Sequence, residues 1–236
     1  MEEFRSNVIS QNLRSNETTQ KVHIPYTIDQ ATKKFETLLN KNKNFKTFIG
    51  EGFYDTRVPS LIKRCILENP GWYTAYTPYQ AEVAQGRLEA LFNYQILVKR
   101  LTQMEFANAS LLDEASAAGE AVFMAHRICK KKRNTVLVSN TIFRSSLEVI
   151  KSYCSNIGIT VVETLITHDT LQAYKEDLFA VVLQSPDNKG ILHDFTELSK
   201  SVQGLGAMVI VGTDLMSQVV SKPVGQMGAD IVYGNA

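Results

Sequence analysis

Cysteine and histidine are scarce in this chain. The three cysteines, Cys65, Cys129 and Cys154, are odd in number and share no spacing typical of a metal site. The four histidines are scattered along the sequence and form no zinc signature. We therefore expect no metal site, and we expect thiols that are buried or free in a reducing compartment.

An excess of charge of one sign is also missing, because 25 basic and 24 acidic residues leave a net charge of +1. This balance argues against nucleic acid or an acidic membrane surface as a dedicated partner. The basic run Lys130–Arg133 closes a predicted helix, where cations oppose the negative end of the helix dipole. No apolar run approaches the roughly 18 residues of a membrane span. The early acidic pair Glu2–Glu3 is untypical of a secretory or transit peptide.

Five apolar, β-rich runs alternate with helical stretches in the second half of the chain. The runs are Thr135–Val138, Ile159–Glu163, Phe179–Gln184, Met208–Gly212 and Asp230–Tyr233, and the helices lie near Arg144–Cys154, Thr170–Glu176 and Asp194–Gln203. Strands that are apolar throughout and separated by helices indicate a parallel sheet covered on both faces. The sequence thus predicts an α/β domain of three layers around a mostly parallel sheet.

The first half of the chain has a different pattern. Residues 1–28 are polar and are expected to form an extended or partly disordered arm, which leaves residues 29–236 as the domain. Helices are predicted over Gln30–Lys41 with Asp29 as the cap, from Pro59–Ser60 to about Glu68, and over Glu82–Gln103. The last of these has one apolar stripe, formed by Leu88, Leu91, Phe92 and Ile96.

Two blocks of sequence are unusual in composition. Residues 73–89 read Y-T-A-Y-T-P-Y-Q-A-E-V-A-Q-G-R-L-E, and they place tyrosines, a proline turn and Gln80 just before a helix. Aromatic and amide groups on a rigid turn are typical of a small-molecule site. Tyrosines that merely anchor a loop to the core would have the same composition. Residues 108–121 read N-A-S-L-L-D-E-A-S-A-A-G-E-A, a capped helix start followed by small residues that permit close packing.

Together these blocks resemble the glycine cleavage system P-protein family, the glycine decarboxylases that use pyridoxal phosphate (PLP). Three further segments are similar to family motifs in the same order: Ile49–Pro59 (I-G-E-G-F-Y-D-T-R-V-P), Leu67–Trp72 (L-E-N-P-G-W) and Lys222–Asn235 (K-P-V-G-Q-M-G-A-D-I-V-Y-G-N). The resemblance covers roughly residues 30–236 and concerns part of the N-terminal half of that enzyme. It implies an incomplete large domain of the fold-type I PLP enzymes, truncated relative to the family at both ends.

The residues themselves argue against a PLP phosphate at the helix start near Ser110. Asp113 and Glu114 occupy the first turn of that helix, and two carboxylates within about 6 Å of a phosphate would repel it by roughly 1 kcal/mol or more. The resemblance implies that the Schiff-base lysine lies in the C-terminal half, and that Lys222 matches a different family position. Asp214 is expected to cap Leu215–Val220 rather than to pair with a pyridine nitrogen, and the Gly-rich turn after Ile49 is expected to be a tight turn rather than a dinucleotide loop.

The resemblance also implies an active site between two homologous halves, with PLP shared between them. Residues expected to face PLP and glycine are Tyr76, Thr77, Pro78, Tyr79 and Gln80, with Ser110, Asp113 and Glu114 as the adjacent floor. Tyrosine hydroxyls and the Gln80 amide would hold the substrate carboxylate or position a lipoyl arm. Ala81 and Ser60 replace prolines that are common in the family; Ala81 removes one constraint from the turn, and together the two replacements loosen the site.

The implied reaction decarboxylates glycine and passes the aminomethyl group to the lipoyl-bearing H-protein. The expected partners are that carrier and a C-terminal catalytic half or subunit, in a homodimer or heterotetramer, and the chain alone is expected to be inactive. The location would be the mitochondrial matrix in a eukaryote and the cytoplasm in a bacterium. The alternative is a degenerate, non-catalytic half that pairs with a separate catalytic PLP subunit, and a generic PLP aminotransferase fits the two blocks less well.

Overall fold

A computed structural model describes residues 2–13, 25–129 and 132–236. The chain divides into two units, residues 1–46 and 47–236. The first unit contains helices α1 (Glu2–Val8) and α2 (Ile28–Leu39) and a 3₁₀ turn at Gln11–Leu13. The division into an arm over residues 1–28 and a domain over 29–236 stays a prediction, and part of that arm, residues 1 and 14–24, lies outside the described residues.

Helix α2 begins earlier than the sequence pattern indicates, and Asp29 is not its cap. The Thr27 hydroxyl accepts a hydrogen bond from the Gln30 N–H at 3.3 Å, and the Gln30 side-chain oxygen accepts one from the Thr27 N–H at 3.0 Å. This reciprocal pair satisfies two backbone donors at once. Asp29 lies in the first turn instead, where its charge favours the positive end of the helix dipole.

The second unit contains the remaining helices and all five strands described. The helices are α3 (Ser60–Leu67), α4 (Pro70–Tyr73), α5 (Gln85–Thr102), α6 (Glu114–Ile128), α7 (Arg144–Ser155), α8 (His168–Tyr174), α9 (Thr196–Gly204) and α10 (Ser217–Val220), with a 3₁₀ turn at Ala81–Val83. The strands are β1 (Thr135–Ser139), β2 (Thr160–Thr164), β3 (Leu178–Ser185), β4 (Met208–Asp214) and β5 (Ile231–Asn235). Each strand and each helix between strands that the sequence predicts is confirmed, with ends that move by a residue or two.

The strands form one parallel sheet in the order β2-β1-β3-β4-β5. Successive side chains of a strand point to opposite faces, so Val136 and Val138 pack in the core against α6 and α7, while Leu137 packs in the core on the opposite face. All residues of β3 are buried. The three-layer α/β expectation is confirmed, and the described sheet is parallel throughout.

Helix α6 ends at Ile128, shortly before the basic run Lys130–Arg133 that was predicted to close it. Lys130 and Lys131 lie outside the described residues. The Arg133 guanidinium donates to the carbonyl oxygens of Leu178 at 3.0 Å and Leu205 at 2.8 Å. It therefore ties the start of β3 to the loop that precedes β4, a long-range contact that sequence spacing does not reveal.

Helix α5 is joined to the sheet region near its C-terminal end. The Gly225 N–H donates to the Thr102 carbonyl at 3.0 Å, and a Cβ atom on Gly225 would lie 2.5 Å from the Gln103 carbonyl oxygen. The predicted apolar stripe is present on the helix, but Phe92 is 62% exposed, and Leu91 and Ile96 are exposed as well. Among the described residues, no helix has both the length and the apolar character needed to cross a bilayer.

Helices α6 and α7 pack closely at Gly119, as the run of small residues predicts. A Cβ atom on Gly119 would lie 2.7 Å from the Tyr153 ring, which is itself stacked on Phe123 at 5.4 Å between ring centroids. We expect Gly119→Ala to lower the free energy of unfolding by about 1–3 kcal/mol, because overpacking outweighs the gain in helix propensity. Urea unfolding followed by circular dichroism measures the change.

The control for this substitution is Gly86→Ala in α5, where nothing lies within 4 Å of the added Cβ. That variant is expected to be as stable as the parent, or more stable by up to about 1 kcal/mol. A Gly119→Ala protein that is as stable as the Gly86→Ala protein would show that the α6–α7 contact tolerates the extra methyl group.

Candidate functional site

Polar side chains converge where three neighbouring strands end. Ligands in open parallel sheets bind beyond the carboxyl ends of the strands. At that edge lie Gln184 of β3, Asp214 of β4, Tyr233 of β5, Glu114 in the first turn of α6, and Tyr54 from the loop before α3. We call these five residues the carboxyl-end cluster.

Asp214 is the most heavily bonded member of the carboxyl-end cluster. Its Oδ1 atom accepts hydrogen bonds from the backbone N–H groups of Met216 at 2.8 Å and Ser217 at 3.1 Å, and its Oδ2 atom accepts one from the Tyr54 hydroxyl. The expectation that Asp214 caps the segment after β4 is confirmed. Neutral donors therefore reach both oxygens of this carboxylate and hold it in place.

Tyr54 reaches Asp214 from a Gly-rich turn. Gly50, Glu51 and Gly52 all have positive φ angles, and the Phe53 N–H donates to the Gly50 carbonyl at 2.9 Å. The tight-turn interpretation of this segment is confirmed. The hydrogen bond to Asp214, followed by partial burial and the negative charges of Asp214 and Glu114, raises the pKa of Tyr54 to about 12.

The other three members of the carboxyl-end cluster form a chain of long hydrogen bonds. The Tyr233 hydroxyl donates to the Gln184 Oε1 atom at 3.4 Å, and the Gln184 Nε2 atom donates to the Glu114 carboxylate at 3.5 Å. Gln184 and Tyr233 are 1% and 5% exposed. Gly212 permits this approach, because a Cβ atom there would lie 2.4 Å from the Gln184 oxygen.

Glu114 is a member of the carboxyl-end cluster whose pKa is shifted by its surroundings. Burial raises the pKa of Glu114, the hydrogen bond from Gln184 lowers it in part, and the charges of Asp214 and Asp113 raise it further. Burial likewise raises the pKa of Tyr233, with a further contribution from Glu114. The cluster therefore carries negative charge at its rim and polar neutral groups in its interior.

The start of α6 does not fit the phosphate of PLP. Asp113 caps the helix, and its Oδ1 atom accepts the Ser116 N–H at 2.7 Å, so a donor that an anion would use is already bonded. That backbone hydrogen bond lowers the pKa of Asp113, which keeps its carboxylate ionised. Ser110 lies exposed three residues before this cap.

Lys222 is bonded on the surface. Its ammonium group donates to the Thr196 hydroxyl and lies 3.7 Å from the Asp194 carboxylate. This ion pair ties the loop before α9 to the loop after α10. The position agrees with the interpretation that Lys222 is not a Schiff-base lysine.

The turn Tyr76–Gln80 lies on the surface of the chain. Tyr76 and Tyr79 are each 89% exposed, Pro78 is half-buried, and the Tyr79 N–H donates to the Thr77 carbonyl at 2.8 Å. Among the described residues neither ring is covered, so these tyrosines do not anchor the turn to the core of this chain, and their role stays a prediction. Of the predicted site residues, the structure places Glu114 in the carboxyl-end cluster and Asp113 at its edge, while both tyrosine rings of the turn stand free of it.

Sequence reasoning missed Tyr54, Gln184 and Tyr233 as members of one site. Tyr54 directly follows the glycine turn, inside a segment that resembles a family motif. That position could have identified Tyr54 as a candidate site residue. Gln184 is an amide near the end of an apolar strand, and a buried amide of that kind needs a partner. Their convergence depends on strand order, which the sequence pattern did not specify.

The thiols behave as the sequence predicts. Cys65 is exposed, Cys129 is half-buried, Cys154 is buried, and all three are free. Burial raises the pKa of Cys154 to about 11, so this thiol is a poor nucleophile at neutral pH. In the described ranges, no group of three or more His, Cys, Asp and Glu side chains is arranged to hold a metal ion.

Comparison with known proteins identifies close relatives. Residues 1–236 match the model of the family described as glycine cleavage system P-protein. A glycine dehydrogenase (decarboxylating) of Idiomarina loihiensis is 44% identical over 213 residues, which are 90% of this chain and 22% of that protein. The enzyme of the same description from Shewanella amazonensis is 47% identical over 201 residues, or 84% of this chain and 20% of that protein.

Solved structures agree with the sequence comparisons. A crystal structure of glycine decarboxylase (P-protein) of the glycine cleavage system, in inhibitor-bound form, matches with a TM-score of 0.78 and 29% identity, over 98% of this chain and 55% of that chain. A sphingosine-1-phosphate lyase of Burkholderia pseudomallei matches at 8% identity and a TM-score of 0.59, a likeness of fold alone. The fold-type I expectation is confirmed, and the chain spans about a fifth of the length of the curated relatives it matches.

The bonding of Lys222 predicts the outcome of a labelling experiment. When the purified chain is mixed with PLP and reduced with borohydride, we expect no stoichiometric adduct at Lys222, because its ammonium group is paired and the helix start nearest the carboxyl-end cluster offers no phosphate cup. Peptide mapping by mass spectrometry measures the labelled fraction. An adduct approaching one per chain at Lys222 would contradict this interpretation.

The Tyr54–Asp214 bond predicts a pKa change that can be measured directly. Asp214→Asn removes the negative charge that opposes phenolate formation, so the pKa of Tyr54 should fall from about 12 towards the ordinary tyrosine value of about 10. NMR titration of the protein labelled with ¹³C at the tyrosine Cζ atoms, with Tyr54→Phe for assignment, follows this resonance. Asp194→Asn is the matched control and should leave the Tyr54 pKa unchanged.

Proposed function

Because this chain belongs to the glycine cleavage system P-protein family, we propose that it is the N-terminal part of a PLP-dependent glycine decarboxylase. The observation that carries the proposal is the family match over residues 1–236. The whole enzyme would release carbon dioxide from glycine and pass the aminomethyl group to the lipoyl group of an H-protein. Since the chain spans about a fifth of its relatives' length, this activity belongs to the longer assembly, and the chain alone would be inactive.

PLP supplies the electron sink for decarboxylation in such an enzyme, and the residues described here do not fit it. Asp113 occupies the donor at the start of α6, and Lys222 is paired with Asp194. We therefore assign the Schiff-base lysine and the phosphate cup to the rest of the enzyme, which would share the cofactor with this part across an interface.

The contribution of this chain would be one wall of the active site. We assign Tyr76, Thr77, Pro78, Tyr79 and Gln80 to that wall. The 89% exposure of both tyrosines leaves their hydroxyl groups available to a molecule outside the chain. Phenol hydroxyls and the Gln80 amide are donors that suit a carboxylate such as that of glycine. Pro78 limits the freedom of the turn and so orients these groups before the substrate binds.

Ser110, Asp113 and Glu114 would form the floor beside that wall. The ionised Asp113 makes this floor negative, whereas burial raises the pKa of Glu114. A negative floor repels the carboxylate of glycine and attracts its ammonium group.

The second candidate is a non-catalytic half that exists as a separate subunit. The chain covers 55% of the solved glycine decarboxylase chain but 22% of the Idiomarina loihiensis protein. The solved chain is therefore less than half as long as that relative, which supports a family in which the enzyme can be divided between polypeptides. In that case, the partner subunit would carry the lysine, in a homodimer or heterotetramer.

The relatives reported above come from bacteria, which supports a cytoplasmic location over the mitochondrial alternative. The lipoyl-bearing H-protein would be the transient partner. The near-zero net charge supports a small-molecule and protein-partner role rather than nucleic-acid binding.

A chimera tests the proposed function. The chain replaces the matching N-terminal segment of the Idiomarina loihiensis enzyme, and exchange of labelled bicarbonate into glycine is measured with H-protein present. We expect activity in the parent chimera. We expect Tyr79→Phe to reduce it at least tenfold, equivalent to about 1.4 kcal/mol or more in the barrier, because a donor to the substrate is lost.

The control variant is Tyr73→Phe, which removes a hydroxyl from another exposed tyrosine outside the assigned turn. Its activity should stay near that of the parent chimera. An inactive parent chimera with PLP bound would argue against the enzymatic role. Full activity in Tyr79→Phe would remove the turn from the active site without affecting the fold assignment.

A further inference from the structure

Helix α5 carries several large apolar side chains that remain partly exposed. Exposed apolar and aromatic side chains occur on several sides of it: Leu91, Phe92, Tyr94, Ile96 and Leu97. A helix that is apolar on several sides is normally buried, and an isolated helix of this length is only marginally stable in water. Its attachment through Thr102 and Gly225 fixes one end. The exposed apolar side chains of α5 are therefore available to a partner.

A shallow hollow lies where the 3₁₀ turn at Ala81–Val83 meets the start of α5. Leu88 and Phe92, one helical turn apart, supply its apolar surface, and Glu82 and Glu89 supply its charge. Among the described residues that line it, none is a lysine or an arginine. We call this feature the α5 hollow.

We propose that the α5 hollow docks a segment of the remaining part of the enzyme, in which an apolar side chain is flanked by lysine or arginine. The inference rests on the proposed function, and it adds the surface through which this part binds the rest. Phe92 and Leu88 would contact the apolar side chain, and the two glutamates would pair with the cations. Charge complementarity of this kind sets the orientation and the rate of association.

The length of the relatives supports this occupant. The match covers 90% of this chain but only 22% of the Idiomarina loihiensis protein. Most of such an enzyme therefore lies outside the matched segment and is available to cover α5. A second copy of this chain is a poorer fit. A symmetric contact through the α5 hollow would bring Glu82 and Glu89 of both copies together, and like charges repel.

Co-expression with the rest of the relative's enzyme tests the proposal. This chain, carrying an affinity tag, is co-expressed with the part of the Idiomarina loihiensis enzyme that lies beyond the matched segment, and the retained partner is quantified. We expect the parent chain to retain it. We expect Phe92→Ala, and separately the double variant Glu82→Lys with Glu89→Lys, to retain at least tenfold less at low salt.

Two controls separate docking from general effects. Glu105→Lys changes an exposed glutamate outside the α5 hollow, and Phe106→Ala removes an exposed aromatic ring outside it. Both should retain the partner within twofold of the parent chain. Because rim charges are screened by salt, the loss caused by the double variant should shrink as salt rises, whereas that caused by Phe92→Ala should persist.

Three results would overturn the inference: equal retention by Phe92→Ala and the parent chain, no retention by the parent chain, or a dimer of this chain that Phe92→Ala dissociates. The proposed function is judged separately by the activity of the fused chimera. If the chimera is inactive but Phe92→Ala and the double variant lose the partner selectively, the proposed function is rejected and the docking surface stands. If the chimera is active but retention does not depend on these residues, the proposed function stands and the docking surface is rejected.

Discussion

The structure depends on a parallel sheet that is buried on both faces. Every residue of β3 is buried, and the side chains of β1, β3 and β4 alternate between two apolar cores. Because a parallel sheet has no solvated face, helices must cover each side, and that requirement decides where α6, α7, α8 and α9 pack. The Gly119 contact shows how closely one of those layers approaches another. The second unit is built around this requirement.

The same sheet produces the carboxyl-end cluster. Parallel strands end at one edge, so Gln184, Asp214 and Tyr233 meet although they are far apart in sequence. Tyr54 and Glu114 complete the group from a loop and a helix start. The result is a polar site with negative charge at its rim. Asp113, at the edge of this cluster, occupies a donor at the start of α6, so this part of the family fold does not fit the PLP phosphate.

The region from the glycine turn to α6 differs from the sheet region, because many of its large apolar side chains are exposed rather than buried. Its helices α3 and α5 and its tyrosine turn carry large apolar side chains that remain exposed, including Leu61, Tyr76 and Phe92. A chain that spans about a fifth of its relatives leaves room for that surface to be covered by other parts of an enzyme. The tyrosine turn and the α5 hollow are adjacent along the chain.

The sequence by itself determined the strands, most helix ends, the Asp214 cap and the family, because period, capping and motifs are local properties of the chain. It did not determine that Thr27 rather than Asp29 caps α2, since the reciprocal hydrogen bonds between Thr27 and Gln30 are seen only in the folded structure. The carboxyl-end cluster, the Arg133 contacts and the exposure of the tyrosine turn were decided by tertiary structure alone. These features depend on strand order and on which surfaces find a partner, and both are long-range.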